Sequence, residues 1–440
     1  MLKSIKYYLL ILTSSLTFSQ VNIDSIAIQK LKEEIKAELR AEITKQIETE
    51  KKPVINLSKF DYEAYGAINY YNYKWETDKN RRNKIDVERL NLYLKYNLTE
   101  KIQFKSEIEF EHGGTGTTMS FDPLEEFGEF EFEVEKGGAV VLGQLHVLFK
   151  QNRYLNIKIG KFNYVNGNAS KFDEPTEYST GYVSEAENAI LPIGWDETGL
   201  EISGDFKLKS NSEYPKIGYK AYIMSGLDNS GFNSLNWLRQ GYQTRFEMIN
   251  ADNLAYSIRL DYNFKENNLI GINIYAGNTS GNRPKNDFTS PALLTFGDLH
   301  FNFEYYPFKI RGYGFYGYLQ NSEALSVANR NISNNLNVKR TPVAENAVSG
   351  YLDIGYDVFS LFKTKKTTQL YLFGRYDYVD TMYKTQGLIF NNPKYERKTT
   401  TFGFNYFPHP NIVFKTHYAM RNLGSKLSEN TFTIGLGFNI

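Results

Sequence analysis

Residues 254–264 read LAYSIRLDYNF. Leu254, Tyr256, Ile258, Leu260, Tyr262 and Phe264 fall on one face of an extended chain, and Ser257, Arg259, Asp261 and Asn263 on the other. Successive side chains of a strand point to opposite sides of its sheet, so one face meets an apolar medium and the other a polar one. The polar face here carries full charges. IQFKSEIEF (102–110) repeats the pattern, setting Ile102, Phe104, Ile108 and Phe110 against Lys105, Glu107 and Glu109. DLHFNFEYY (298–306) sets Leu299, Phe301, Phe303 and Tyr305 against His300, Asn302 and Glu304.

The connections alternate as well. Short ones such as NLTEK (97–101), FKENN (264–268) and FPHPN (407–411) take turns with long ones near 163–196, 226–252, 278–296, 320–347 and 380–396. Brief turns on one rim and long loops on the other mark an outer-membrane barrel. The expected fold is all-β: an antiparallel transmembrane β-barrel of about sixteen strands over 58–440, preceded by a short N-terminal α-helix. An even count places both chain ends and every short turn in the periplasm. FGEFEFEVE (127–135) also alternates; as an extension of the hairpin before it, it leaves the sides of later loops unchanged. TFTIGLGFNI (431–440) is expected to be the closing strand, paired with the first strand near Phe60–Tyr73. Its apolar end resembles the signal read by the barrel-assembly machinery, an expected partner during biogenesis.

The opening stretch, MLKSIKYYLLILTSSLTFSQ, has Lys3 and Lys6, an apolar run from Tyr7 to Leu12 and small residues before Gln20. That is the pattern of a signal peptide over 1–19. Residues 24–52 place Ile28, Leu31, Ile35, Leu39, Ile43 and Ile47 on one narrow stripe among Glu and Lys. This predicts a periplasmic amphipathic helix, as a solvated spacer or a short coiled coil, closed by Pro53.

Composition narrows the function. The chain of 440 residues is 15% aromatic yet has a mean hydropathy of −0.48. Beyond the first twenty residues no run approaches the ~20 apolar residues of a membrane-spanning helix. There is no cysteine, which excludes thiol nucleophiles, disulfides and thiolate metal sites. A net charge of +1 gives no field to attract nucleic acid. The five histidines have no recognisable serine partner, so neither an enzyme nor a cofactor is expected.

The inward faces are polar, so the barrel should enclose water rather than a packed core. Lys105, Lys158, Lys220, Arg259, Arg375 and Lys415 are the inward basic candidates for the pore wall. The segment 163–196 is the candidate constriction loop, because structureless loops of this length are usually functional. It carries Asp173, Glu174, Glu177, Glu185 and Glu187, and folded inward it would set an acidic edge against the basic wall.

The hairpin LHVLFKQNRYLNIKIGKFNY (145–164), with Gly160-Lys161-Phe162 leading into the long loop, resembles the phosphate-selective porin O/P family. GLEISGDF (199–206) and YKAYIMSGLDNSGF (219–232) resemble the hairpin that follows. The resemblance implies a homotrimer in outer-membrane lipid of a Gram-negative bacterium, passing small hydrophilic solutes, phosphate-like anions among them. Where that family leads us to expect Pro-Pro-Phe-Gly, this chain reads NYVNGNAS (163–170), and its loop is acidic. The rival expectation is a structural or adhesive barrel with partner-binding loops and a blocked lumen.

Overall fold

The computed structural model describes residues 30, 32–41, 57–122, 131–192, 194–243, 248–330, 332, 340–362 and 368–440. The expected signal peptide lies outside them, as does most of the expected helix over 24–52. Residues 32–41 of that segment are helical. Ile35 and Leu39 stand exposed there, and Glu33 lies 3.9 Å from Lys36 one turn on.

From residue 60 the chain is sheet. The first strands are β1 (Phe60–Trp75), β2 (Lys84–Asn97), β3 (Ile102–Asp122) and β4 (Glu131–Asn152). There follow β5 (Leu155–Asn163), β6 (Asp196–Lys207), β7 (Lys216–Ser225) and β8 (Leu254–Lys265). Next come β9 (Asn268–Asn278), β10 (Leu293–Tyr305), β11 (Phe308–Leu319) and β12 (Asn346–Asp357). The last are β13 (Gln369–Lys384), β14 (Glu396–His409), β15 (Ile412–Leu423) and β16 (Ser428–Asn439). Each strand pairs antiparallel with its sequence neighbours, and β16 closes on β1 from Tyr65↔Asn439 to Trp75↔Glu429. No edge is left unpaired, so the barrel satisfies its backbone internally, as spanning a bilayer requires.

The two faces separate as the alternation predicts. Tyr256, Ile258 and Leu260 of β8 are exposed on the outside, whereas Ala255, Ser257 and Arg259 are buried inside. Ile272, Ile274, Leu352, Ile354, Phe402 and Phe404 continue the outward apolar band around the circumference. A closed sixteen-strand barrel with such a belt belongs in a Gram-negative outer membrane.

The hairpin of β3 and β4 runs well past the alternation read at 102–110. Pairing resumes past a bulge and runs from Gly116↔Gly138 to Asp122↔Glu131. The kink is made by His112, Gly113 and Gly114 at φ of 49°, 79° and 112°, a left-handed run whose last two positions glycine takes without strain. Residues 131–135 therefore continue this hairpin, and the later loops keep their sides.

Two strands reach further than their alternation indicates. β10 begins at Leu293 instead of 297, and β13 continues to Lys384 instead of ending at 379. The reason is a correction to the expected lumen. Leu294, Phe296 and Val379 point inward but are buried among apolar neighbours, so the inward face at these positions is apolar, not polar. The loops 226–253 and 320–345 supply Leu227, Phe232, Trp237, Leu238, Leu325 and Val343 to the same cluster. Trp237 donates its indole N–H to the Ala344 carbonyl at 3.0 Å and meets Phe315 edge-on. Thus the long-loop half of the lumen between β7 and β13 is a packed hydrophobic core, not water.

Candidate channel lumen

The segment joining β5 to β6 lies inside the barrel. Gly160 sits at φ +127°, and after it Phe162 turns fully into the core. Tyr164 follows, its hydroxyl within 2.8 Å of Ser257 on β8 and accepting from Asn273 on β9 at 2.9 Å. Asn168 then donates to the Gly312 carbonyl on β11 at 2.8 Å. At Asp173 the chain reaches the opposite wall, where Arg89 of β2 and Tyr65 of β1 both donate to its carboxylate. It returns along β16 to β13. Asn439 donates to Glu174, Asn405 to the Ser179 carbonyl at 2.9 Å, and Arg375 to the Thr180 hydroxyl at 2.8 Å. Ser184 caps the short helix Glu185–Asn188 and donates to Asp377 at 2.7 Å. Trp195 closes the circuit against Tyr164 and Tyr275.

This path explains the buried basic residues. Lys415, 2% exposed, donates to the Tyr178 and Thr180 carbonyls at 2.6 and 2.7 Å. Arg259, 1% exposed, donates to the Gly167 carbonyl at 2.7 Å and also binds Asp261. Buried charge needs such partners, and here backbone carbonyls of the inner segment provide them.

Two cavities flank the inner segment. On the short-turn side a cavity of about 500 Å³ is lined by Glu63, Tyr65, Lys105, Lys158, Glu174 and Glu177 among others. On the long-loop side a cavity of about 630 Å³ is lined by Tyr71, Tyr73, Trp75, Glu111, Tyr182 and Arg421 among others. Arg89 and Glu109 stand in the walls of both. A smaller space holds Glu185 opposite Arg375 and Arg421.

Electrostatics follow burial. Burial pushes the Glu177 carboxyl up to about 7 even with Arg311 nearby. It pushes the Lys171 ammonium down to about 8, against the pull of Asp261. Burial would raise Glu185 too, but Arg421 and Arg397 outweigh it and hold its carboxyl below the ordinary range. Burial raises Glu187, which accepts the backbone N–H groups of Asn168 and Ala169.

Ten of the eleven candidates from the sequence fall into two groups. Lys105, Lys158, Asp173, Glu174 and Glu177 all line the short-turn cavity. Arg259, Arg375, Lys415, Glu185 and Glu187 hold the inner segment in place through the bonds above. Lys220, on β7 beside Arg259, lines none of the three cavities described here. Glu109, inward by the alternation of 102–110, lines both cavities, and so does Arg89, which is not among the sequence candidates. The signal for Arg89 lay in RLNLYLKYN (89–97), whose polar face reads Arg89, Asn91, Tyr93, Lys95. The aromatic run Tyr71, Tyr73, Trp75 was missed because inward aromatics look like lipid-facing ones in an alternating pattern.

No family model matches the chain. It is 27% identical over 374 residues to an uncharacterized protein of Aquifex aeolicus (strain VF5), covering 84% of this chain and 77% of that one. Among solved structures it is similar to the outer membrane channel DcaP of Acinetobacter baumannii (11% identity, TM-score 0.47, 87% of this chain and 98% of that one). It is similar to Pseudomonas putida OprB (9%, 0.49, 87% and 95%) and to a loop L8 deletion mutant of OmpT, an outer membrane protein of Vibrio cholerae (11%, 0.48, 87% and 100%).

Proposed function

We propose that this protein is an outer-membrane porin through which small hydrophilic solutes diffuse passively. The observation that carries this reading is the pair of polar cavities on either side of the inner segment, which share Arg89 and Glu109 in their walls. The segment 163–196 then acts as the constriction loop, and the β1–β5 wall is the conducting side. Arg89, Lys105 and Lys158 form its cationic edge, and Asp173, Glu174 and Glu177 the anionic edge. Anions such as phosphate would track the first edge. In this reading the long loops face outward, the chain ends lie in the periplasm, and residues 24–52 join a homotrimer as a coiled coil. The signal peptide 1–19 and the barrel-assembly machinery bring the chain to its membrane.

The packed core between β7 and β13 favours a second reading, a barrel with a blocked lumen whose long loops bind a partner. Conductance of the purified protein in planar bilayers separates the two. The porin reading expects stable single-channel steps, with a reversal potential in a salt gradient reporting the preferred ion. Silence in every insertion would overturn it, and cation preference would overturn the anion assignment alone.

A further inference from the structure

The long-loop cavity has a chemistry that ion passage does not use. Five aromatic rings line it: Tyr71, Tyr73 and Trp75 on β1, with Tyr182 and Tyr242 from two loops. The β1 rings occupy alternate positions, so they form one continuous inward track. Tyr71 and Tyr73 stack at 5.9 Å with 17° between their planes, and Trp75 meets Tyr73 edge-on at 5.5 Å. Tyr71 is buried, and Arg81 lies over the Trp75 ring at 3.9 Å and over the Tyr73 ring at 4.6 Å, so a ligand reaches the track by displacing that guanidinium from the ring faces.

The charges around the track nearly cancel. Arginines and carboxylates line the cavity in equal number, four of each. Several are already engaged: His112 lies 2.9 Å from Asp86, Arg421 3.1 Å from Glu185, and Arg239 donates to the Asn188 carbonyl at 3.0 Å. Arg89 is bound to Asp173 as well, so what remains is Glu109, Glu111 and the arginine N–H groups these contacts leave over, with little net field. An anion or cation would meet its like charge on the same wall. A neutral molecule with an apolar face and many hydroxyls would meet both its needs. A volume of about 630 Å³ lies within the usual range of ligand sites.

We propose that the long-loop cavity is a binding site for neutral saccharides, which lay their C–H faces on the Tyr71–Tyr73–Trp75 track and hydrogen-bond to the flanking arginines and carboxylates. It deepens the porin reading, since such a site would load the channel with its solute.

The protein offers its own reporter. It has three tryptophans, of which Trp195 and Trp237 are 1% and 0% exposed inside the core, so a ligand-dependent change in emission reports Trp75. Purified protein is titrated with maltotriose and sucrose while fluorescence is read, and the same sugars are added to the long-loop side of channels in a bilayer. The expected result is a saturable emission change and a saturable fall in ion current. Trp75→Ala should weaken the block about tenfold or more. Trp75→Phe, which keeps an aromatic face, should retain the block within about threefold and lose the emission change. Ion current that falls only with bulk viscosity, with no emission change, would overturn the saccharide site while leaving the porin standing. Absence of any ion current overturns the porin, and the fluorescence titration then decides the site by itself.

Discussion

Arg89 on β2 donates from Nη1 to Asp173 Oδ1 at 2.9 Å and from Nη2 to the Asp173 carbonyl at 2.6 Å. The Arg89 side chain is 7% exposed and that of Asp173 24%. The pair ties the far end of the inner segment to the barrel wall at the place where the two cavities adjoin. Asp173→Ala leaves a buried guanidinium with one partner fewer, a change worth roughly 3 kcal/mol. We expect a lower unfolding midpoint and larger, noisier single-channel currents as the segment loosens. In a double-mutant cycle with Arg89→Ala the two effects should be clearly less than additive. Simple additivity would show that the contact does not hold the segment.

The acids of the inner segment should govern ion preference. Glu174 and Glu177 both line the short-turn cavity, as do Lys105 and Lys158. Above pH 8, where Glu177 is largely ionised, Glu174→Lys combined with Glu177→Lys changes the local charge from two negative groups to two positive ones. The reversal potential in a salt gradient should move toward anion preference. An unmoved potential would place both residues off the ion path.

Protonation of Glu177 gives a pH dependence. Burial raises its carboxyl to about 7. The folded-state value is above the unfolded one, so the group favours the folded segment at acid pH and loses that contribution as pH rises through about 7. Between pH 8 and 6 the group gains its proton and the cavity loses a negative charge. Cation permeability relative to anions should therefore fall across that window. Glu177→Gln should abolish the step, and a step that survives in the variant would assign it to another group.

Trp237 keeps the second half of the lumen shut. It is fully buried, bonded to the Ala344 carbonyl and packed against Phe315. Trp237→Ala removes this wedge at a cost of about 3–5 kcal/mol. The expected consequence is a lower thermal midpoint together with higher conductance, as water enters the space between β7 and β13. A destabilised variant with native conductance would mean that the remaining core still seals that half.

The barrel was legible in the sequence because lipid outside and polarity inside write a period of two along most strands. LAYSIRLDYNF shows this wherever an inward residue is polar, as with Arg259 and Asp261. The signal fails where the inner face is apolar. Leu294, Phe296 and Val379 are core residues inside the barrel, and they blur the start of β10 and the end of β13. The site was legible residue by residue but not as an arrangement. Lys415 and Lys105 look alike as inward cations, yet one is buried on loop carbonyls and the other lines a cavity. Which it is depends on the course of residues 164–195 across the lumen, and alternation along a strand carries no information about that course.

Closure of the barrel rests on β16, whose inner face is Thr433, Gly435, Gly437 and Asn439. Small residues are needed there for a reason alternation does not reveal. A Cβ on Gly437 would lie 2.6 Å from Pro175 of the inner segment, so the segment passes directly over the closing strand. Removing residues 436–440 deletes the pairs Ile68↔Leu436, Ala67↔Gly437, Gly66↔Phe438 and Tyr65↔Asn439, together with the bonds between Ala64 and Ile440. It also removes the Asn439 contact to Glu174. The opened edge exposes backbone groups that lipid cannot satisfy. The truncated chain should therefore fail to form a heat-modifiable species in the outer membrane. Gly437→Leu is the subtler test: the barrel should still close, because the backbone pairing is intact, but the displaced segment should alter conductance. A truncated chain that migrates as a folded barrel would show that β16 closes the sheet with fewer pairs than the register provides.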